Sequence, residues 1–432
     1  MTMSSRTAVL RRAHLTPLMY SLPVKRLKEI LIQILPSLTL GPVEEIPSTQ
    51  LARLYSLTMS DDRKLLLSLA PSLAVRLLRH EATMLSSEAA LIGFITGRDP
   101  LDTRPSTPEE PQACSKERAD LIALVPKLIR HSTNNREMAY PYSIFDGTAG
   151  EPLSSVSIYL NIPEHKAIDR QVGSMVRAMA SMTSLSGTFG TANLVLPEQL
   201  TSGVNTKSLS RGAETWSEGF SLLLEGALRD GEDVAILMPY ETIRAQYQRL
   251  SHHLDSVLHP RLLVLDAGSS SNILIQRALK TSTSTSASDS PSPHTVSPIK
   301  PATRLAGLRS WSQGVFGDPL LSSCFEDPSE AFLEGWRDGG EDVIEDQENA
   351  EVRLMLYRLF RGVVGVVMEY VRPQGDSSRK ELEARRRLTS ALAELERVET
   401  LKRVRSGSMK DEEAKRRKTE RVDKGSVREK DK

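Results

Sequence analysis

Apolar residues recur at helical spacing first over Val24 to Leu35, where Leu27, Ile30, Leu31 and Ile34 fall on one face and predict an amphipathic helix. The same period returns from Glu164 to Ser181 with Ile168, Val172, Met175, Val176 and Met179, and from Arg379 to Leu401 with Leu382, Leu388, Leu392 and Leu395. Between these helices, Arg261 to Ile275, RLLVLDAGSSSNILI, reads as two short apolar strands joined by a polar loop. Two stretches break every period. GRDPLDTRPSTPEEPQACSKER, residues 97–118, is rich in Pro, Thr and Glu, and residues 280–301 are dominated by Ser, Thr and Pro, so both read as solvated insertions. Beyond Arg405 no apolar stripe exists, which predicts a disordered tail.

Charge changes this picture only at the ends. The whole chain of 432 residues carries 56 basic against 55 acidic residues, so no global field favours nucleic acid. Residues 401–432 carry 13 Lys and Arg against 7 Asp and Glu. This basic tail is the one segment with a case for polyanion binding, and KRRK at Lys415–Lys418 could serve as a nuclear import signal. Residues 1–26 contain five basic residues and no acidic one, the charge pattern of a mitochondrial presequence, but Pro17 and Pro23 interrupt the helix such a signal needs. A disordered leader is the simpler expectation. Cys114 and Cys324 lie too far apart in sequence to read as a disulfide framework, and no Cys/His spacing suits zinc. No apolar run reaches the roughly 20 residues of a membrane helix, so a cytoplasmic protein is expected.

The chemistry centres on the 261–275 loop. It has the outline of a phosphotransferase catalytic loop, in which an apolar strand leads through a His and an Asp to an Asn five residues after that Asp. Here Asn272 is present, the position five before it is Ala267, the nearest carboxylate is Asp266, and Leu265 stands at the His position. With TRLAGLRSWSQGVFGDPLLSSCFEDPSEAFLEGW, residues 303–336, this loop resembles the aminoglycoside phosphotransferase/choline kinase family, particularly its fungal members, over roughly residues 27–397. The family's metal strand reads Gly-x-x-Asp-Trp; the matching residues are Gly307, Leu308, Arg309, Ser310 and Trp311, so Ser310 replaces the metal Asp. LYSLTMSDD and RKLLLSLAP resemble the family's hairpin and ATP-lysine strand, with Ser68 at the lysine position. RLLRHEATMLSSEAALIGFI resembles the following helix and offers Glu88, with Glu81 earlier, as the lysine's usual partner. PYSIFDGTAGEPLSSV resembles the hinge, where Ile144 and Phe145 would flank an adenine.

The resemblance implies a two-lobed α+β, protein-kinase-like fold. A small β-rich N-lobe would span 27–140, with the insertion 97–118; a hinge and mainly helical C-lobe would span 141–397, with the insertion 280–301; residues 398–432 would form the tail. Phosphoryl transfer places charge on the phosphoryl oxygens and relies on positioned cations, a lysine and magnesium held by carboxylate and Asn. Ser68, Ala267 and Ser310 remove the lysine, the base and the principal metal ligand. A positioned base alone contributes about 10² to 10⁴ in rate. The expectation is a catalytically inactive pseudoenzyme that binds a small molecule or protein partner, with no firm cofactor. The alternative is an active phosphotransferase using ATP and Mg2+, with Asp266 as displaced base and Asn272 as metal ligand.

Overall fold

A computed structural model of the protein describes residues 22–46, 51–72, 75–97, 116–134, 136–147, 150–196, 212–277, 303–340 and 342–398. Most of the expected leader, nearly all of both insertions, and the tail with Lys415–Lys418 lie outside the described residues. The chain divides into two compact units, residues 1–220 with 259–343, and residues 221–258 with 344–432. The lobe boundary expected near residue 141 therefore lies within the first unit.

The N-terminal part of the first unit is a five-stranded antiparallel sheet in the order β1-β2-β3-β5-β4, from β1 (Leu40–Ile46), β2 (Arg53–Met59), β3 (Lys64–Leu69), β4 (Leu128–Ser132) and β5 (Tyr142–Asp146). Strand side chains alternate between faces, and β3 shows the consequence. Leu65, Leu67 and Leu69 pack with Leu57, Tyr142 and Ile144 against Leu27, Ile30 and Leu31 of helix α1 (Val24–Ile34). Burying each of those three helix side chains contributes about 1.5–3 kcal/mol. Ser68 lies on the other face, directly across from Leu54 and Ser143. That face also carries Leu66, which packs with Leu54 against Met84 and Leu85 of helix α2 (Met84–Thr96). Helix α2 is buried on most sides and stops at Gly97, whose left-handed φ of 66° closes the helix at little steric cost.

The rest of the first unit surrounds the 261–277 segment. After α3 (Lys116–Leu124), β6 (Glu151–Pro152) and the one-turn α4 (Leu153–Val156), helix α5 (Ile162–Ala180) opens with a capping box. The Asn161 side chain accepts from Glu164 N–H at 2.9 Å, and the Glu164 carboxylate accepts from Asn161 N–H at 3.0 Å. Next come β7 (Gly190–Thr191) and the short α6 (Ala192–Val195). Two small sheets follow, β10-β9-β6 and β7-β11-β8, from β8 (Arg261–Val264), β9 (Ile273–Arg277), β10 (Thr303–Leu308) and β11 (Gly314–Gly317). Helix α9 (Glu330–Arg337) packs on α5 through two glycines. A Cβ on Gly173 would meet Phe332 O at 2.1 Å, and one on Gly335 would meet Arg170 O at 1.9 Å.

The second unit is helical. It contains most of α7 (Trp216–Asp233), with α8 (Tyr240–Leu250), α10 (Ala350–Val371) and α11 (Ser377–Glu396). Helix α11 buries Leu388, Ala391, Leu392 and Leu395, and Arg249 on α8 donates to Leu395 O at 2.7 Å. The side chain of Arg353 is wholly buried and donates to Asp346 O at 2.9 Å and to Glu345 O. Paired backbone carbonyls make that buried charge tolerable. Among the described residues, no helix is long and apolar enough to cross a membrane.

Candidate functional site

The loop between β8 and β9 is held by residues on both sides of β11, Gln313 just before it and Ser322 and Ser323 after it. Leu265 N–H donates to Gln313 O at 3.0 Å, Ser323 N–H to Leu265 O at 2.9 Å, and the Ser322 hydroxyl to Val264 O at 3.1 Å. These bonds spend the loop's backbone groups on the scaffold and set the Asp266 carboxyl against the Asn272 side chain, which hydrogen-bonds it. The second Asp266 oxygen, Oδ1, is buried without a hydrogen-bond partner. Burial, helped by the neighbouring Glu88, pushes the Asp266 carboxyl up to about 7 against the opposing pull of the Asn272 contact.

Asn272 is 1% exposed and closes on Ser310 from both ends of its amide. Its Nδ2 donates to Ser310 O at 3.1 Å, and its Oδ1 accepts from Ser310 N–H at 2.9 Å. Arg309 N–H adds a 2.8 Å bond to Asn272 O. On the far side, Glu88 Oε1 accepts from the Ser310 hydroxyl at 2.9 Å and from Trp311 N–H at 2.8 Å. The Ser310 and Ser312 hydroxyls lie 2.9 Å apart, and Ser312 N–H reaches Ser310 Oγ at 3.2 Å. Glu88 is 4% exposed, and its carboxyl is raised by burial against the opposing pull of these two bonds. No lysine or arginine among the described residues pairs with it.

The tertiary fold thus brings Glu88, Asp266, Asn272 and Ser310 together. Ser68 is buried at 2% exposure on the α2-facing side of the sheet, and no hydrogen bond links it to Glu88. Glu81 serves a different purpose: its carboxylate accepts from Leu78 N–H at 2.8 Å and caps the turn before α2. The two side chains expected to flank an adenine are divided by strand alternation. Ile144 is in the core beneath α1, while Phe145 is on the opposite face across from Leu66 and Leu128. Both cannot line one ligand face, because neighbours on a strand point apart. Sequence reasoning missed His131, which faces Ser143 on the same side as Ser68. Its Nδ1 lies 2.9 Å from Ser143 Oγ, its Nε2 is buried without a partner, and burial lowers its pKa to about 4.

These groups do not fit magnesium as the resembled family holds it. Ser310 supplies no charge, its hydroxyl is committed to Glu88, and the Asn272 amide oxygen already accepts from Ser310 N–H. Magnesium demands carboxylate or phosphate oxygens in near-octahedral array. Among the described residues no group of three or more His, Cys, Asp or Glu side chains could hold a metal ion.

No known family profile matches the chain, and no curated protein does. Its likeness is to solved structures of kinase-like phosphotransferases, and at these identities it is a likeness of fold. A provisionally assigned aminoglycoside phosphotransferase from Ralstonia eutropha JMP134 shares 11% identity over 87% of this chain and 99% of that chain, with a TM-score of 0.52. A provisionally assigned fructosamine-3-kinase from Thermobifida fusca YX-ER1 shares 16% identity over 82% of this chain and 98% of that chain, with a TM-score of 0.47. The GDP complex of aminoglycoside 2'-phosphotransferase-IIIa shares 15% identity over 86% and 98%, with a TM-score of 0.45. The chain has an α+β, kinase-like fold.

Proposed function

We propose that this protein is a catalytically inactive member of the phosphotransferase-like fold, which binds a small molecule or a protein partner in a cytoplasmic setting. The observation that carries this reading is the closure of Glu88 and Asn272 on Ser310 from either side. Where phosphoryl transfer needs a lysine partner, a metal carboxylate and a metal-ligating amide, Glu88 and Asn272 both spend hydrogen-bonding capacity on Ser310, Glu88 on its hydroxyl and Asn272 on its backbone. Ser68 supplies no cation from β3. On this reading any nucleotide that binds does so without a metal-dependent component.

One observation favours a second reading, an active ATP-dependent phosphotransferase. Asp266 keeps an uncommitted oxygen beside Asn272, and a carboxyl raised to about 7 is tuned as a general base should be. Thermal-shift titration with ATP, with and without magnesium, and ADP release with amino-sugar and choline-like acceptors separate the two. Ligand binding stabilises by about 0.4 kcal/mol when ligand equals Kd. The inactive reading expects a small shift indifferent to magnesium and no ADP. A large magnesium-dependent shift with acceptor-dependent ADP release would establish the active enzyme.

A further inference from the structure

The turn after β10 aims two donors at one atom: Glu88 Oε1 accepts from the Ser310 hydroxyl at 2.9 Å and from Trp311 N–H at 2.8 Å. The turn is fixed without help from that carboxyl. Asn272 accepts from Ser310 N–H at 2.9 Å and donates to Ser310 O at 3.1 Å, and Ser312 N–H reaches Ser310 Oγ at 3.2 Å. Fixed donors that converge on one acceptor make an oxyanion cradle, which favours a carboxylate oxygen over a neutral one. The present occupant is held by little else. Glu88 reaches in from α2, makes no other hydrogen bond among the described residues, and pairs with no lysine or arginine there, while burial pushes its carboxyl up. Helix α2 does not depend on it for its place. Met84 and Leu85 pack on the sheet, Ser87 Oγ donates to Asn193 Oδ1 at 3.1 Å, and the Phe94 ring meets Phe316 edge-on at 5.4 Å. The Glu88 side chain can therefore leave the cradle while the helix stays.

We propose that Glu88 is an exchangeable internal plug, and that the site takes a small carboxylate ligand whose acid group replaces Glu88 on the Ser310 hydroxyl and the Trp311 N–H. The ligand class follows from the occupant, since the group seated on those donors is itself a carboxyl. The proposal rests on the binding reading above and adds a regulation to it: without ligand the cradle is closed by a side chain of α2, and binding requires its release.

The test is residue-level amide hydrogen exchange and thermal melting of the full chain, with formate as the probe and chloride at equal ionic strength as the control. In the wild type the Trp311 N–H, which depends on Glu88, should exchange faster than the Ser310 N–H, which depends on Asn272, once intrinsic rates are divided out. Glu88→Ala should lose protection at Trp311 and keep it at Ser310. Saturating formate should then slow Trp311 exchange in Glu88→Ala by about tenfold or more, the value of a hydrogen bond to a charged acceptor, and raise the melting temperature. Adding Ser310→Ala to Glu88→Ala should weaken that response. Glu88→Gln keeps an acceptor in the cradle and should ignore formate. If Glu88→Ala does not fold, the wild-type comparison decides alone. Equal protection of Trp311 and Ser310 in the wild type, or a folded Glu88→Ala that responds to formate no more than to chloride, would overturn the proposal. ATP turnover with an acceptor would remove the inactive reading and leave these measurements interpretable, whereas a missing formate response with nucleotide binding retained removes the cradle alone.

Discussion

Asn272 and Ser310 hold each other through two hydrogen bonds between one side-chain amide and one backbone residue, across 38 positions of sequence. The pair fastens the start of β9 to the end of β10. It leaves the amide no free N–H, since the second one serves Asp266. Glu88 adds a third point from α2 by taking the Ser310 hydroxyl and the Trp311 N–H.

Glu88 should therefore behave as a structural acceptor. Glu88→Gln keeps a carbonyl for Trp311 N–H and suits a site that disfavours charge, so its stability at pH 7 should match or exceed the wild type. Glu88→Ala leaves that N–H buried and unpaired and should cost about 1–3 kcal/mol in chemical denaturation. Equal losses in the two variants would mean that the charge itself is needed.

Ser310→Asp would set a second carboxylate against the Glu88 oxygen that now lies 2.9 Å from the Ser310 hydroxyl. Without metal the variant should lose about 1–3 kcal/mol at pH 8. Magnesium should restore part of that loss and leave the wild type unmoved. A variant whose melting temperature ignores magnesium would show that the missing carboxylate is not what keeps the metal out.

Two buried groups should tilt stability with pH in opposite directions. Asp266, raised from 3.8 to about 7, keeps its proton in the folded chain where the unfolded chain has lost it. Its contribution is whole below the unfolded value and disappears as pH rises through about 7. His131, lowered from 6.5 to about 4, stays neutral where the unfolded chain is protonated. Its contribution is whole above 6.5 and disappears as pH falls toward 4. The stability of wild type relative to Asp266→Asn should fall with rising pH, and relative to His131→Gln it should fall with falling pH. Differences constant from acid to neutral pH would show that neither group is perturbed.

Gly335→Ala should be strongly destabilising, because its new methyl would stand 1.9 Å from Arg170 O at the α5 and α9 crossing. A loss of about 1–3 kcal/mol is expected from such overpacking, read as a lowered denaturation midpoint. Gly340→Ala is the control: no atom lies within 4 Å of a Cβ there, although its φ of 92° adds local strain. A smaller loss at 335 than at 340 would contradict the close helix approach.

What the amino-acid order determines by itself is local. Strand geometry over residues 65–69 sets Ser68 on a different face from Leu67, and the Val24 helix presents one apolar stripe to that sheet. The spacing from Asp266 to Asn272, and serine at 68 and 310, were legible as missing chemistry before any coordinate. The sequence reading set both Ile144 and Phe145 beside an adenine, although adjacent strand residues face apart. The tertiary structure alone decided that Glu88 meets Ser310 across 222 positions, that Glu81 caps a turn, and that His131 is buried with its Nε2 unpartnered. Hydrogen bonds at such separations depend on how sheets and helices pack, and periodicity along the chain records which face is buried, not which distant group it will meet.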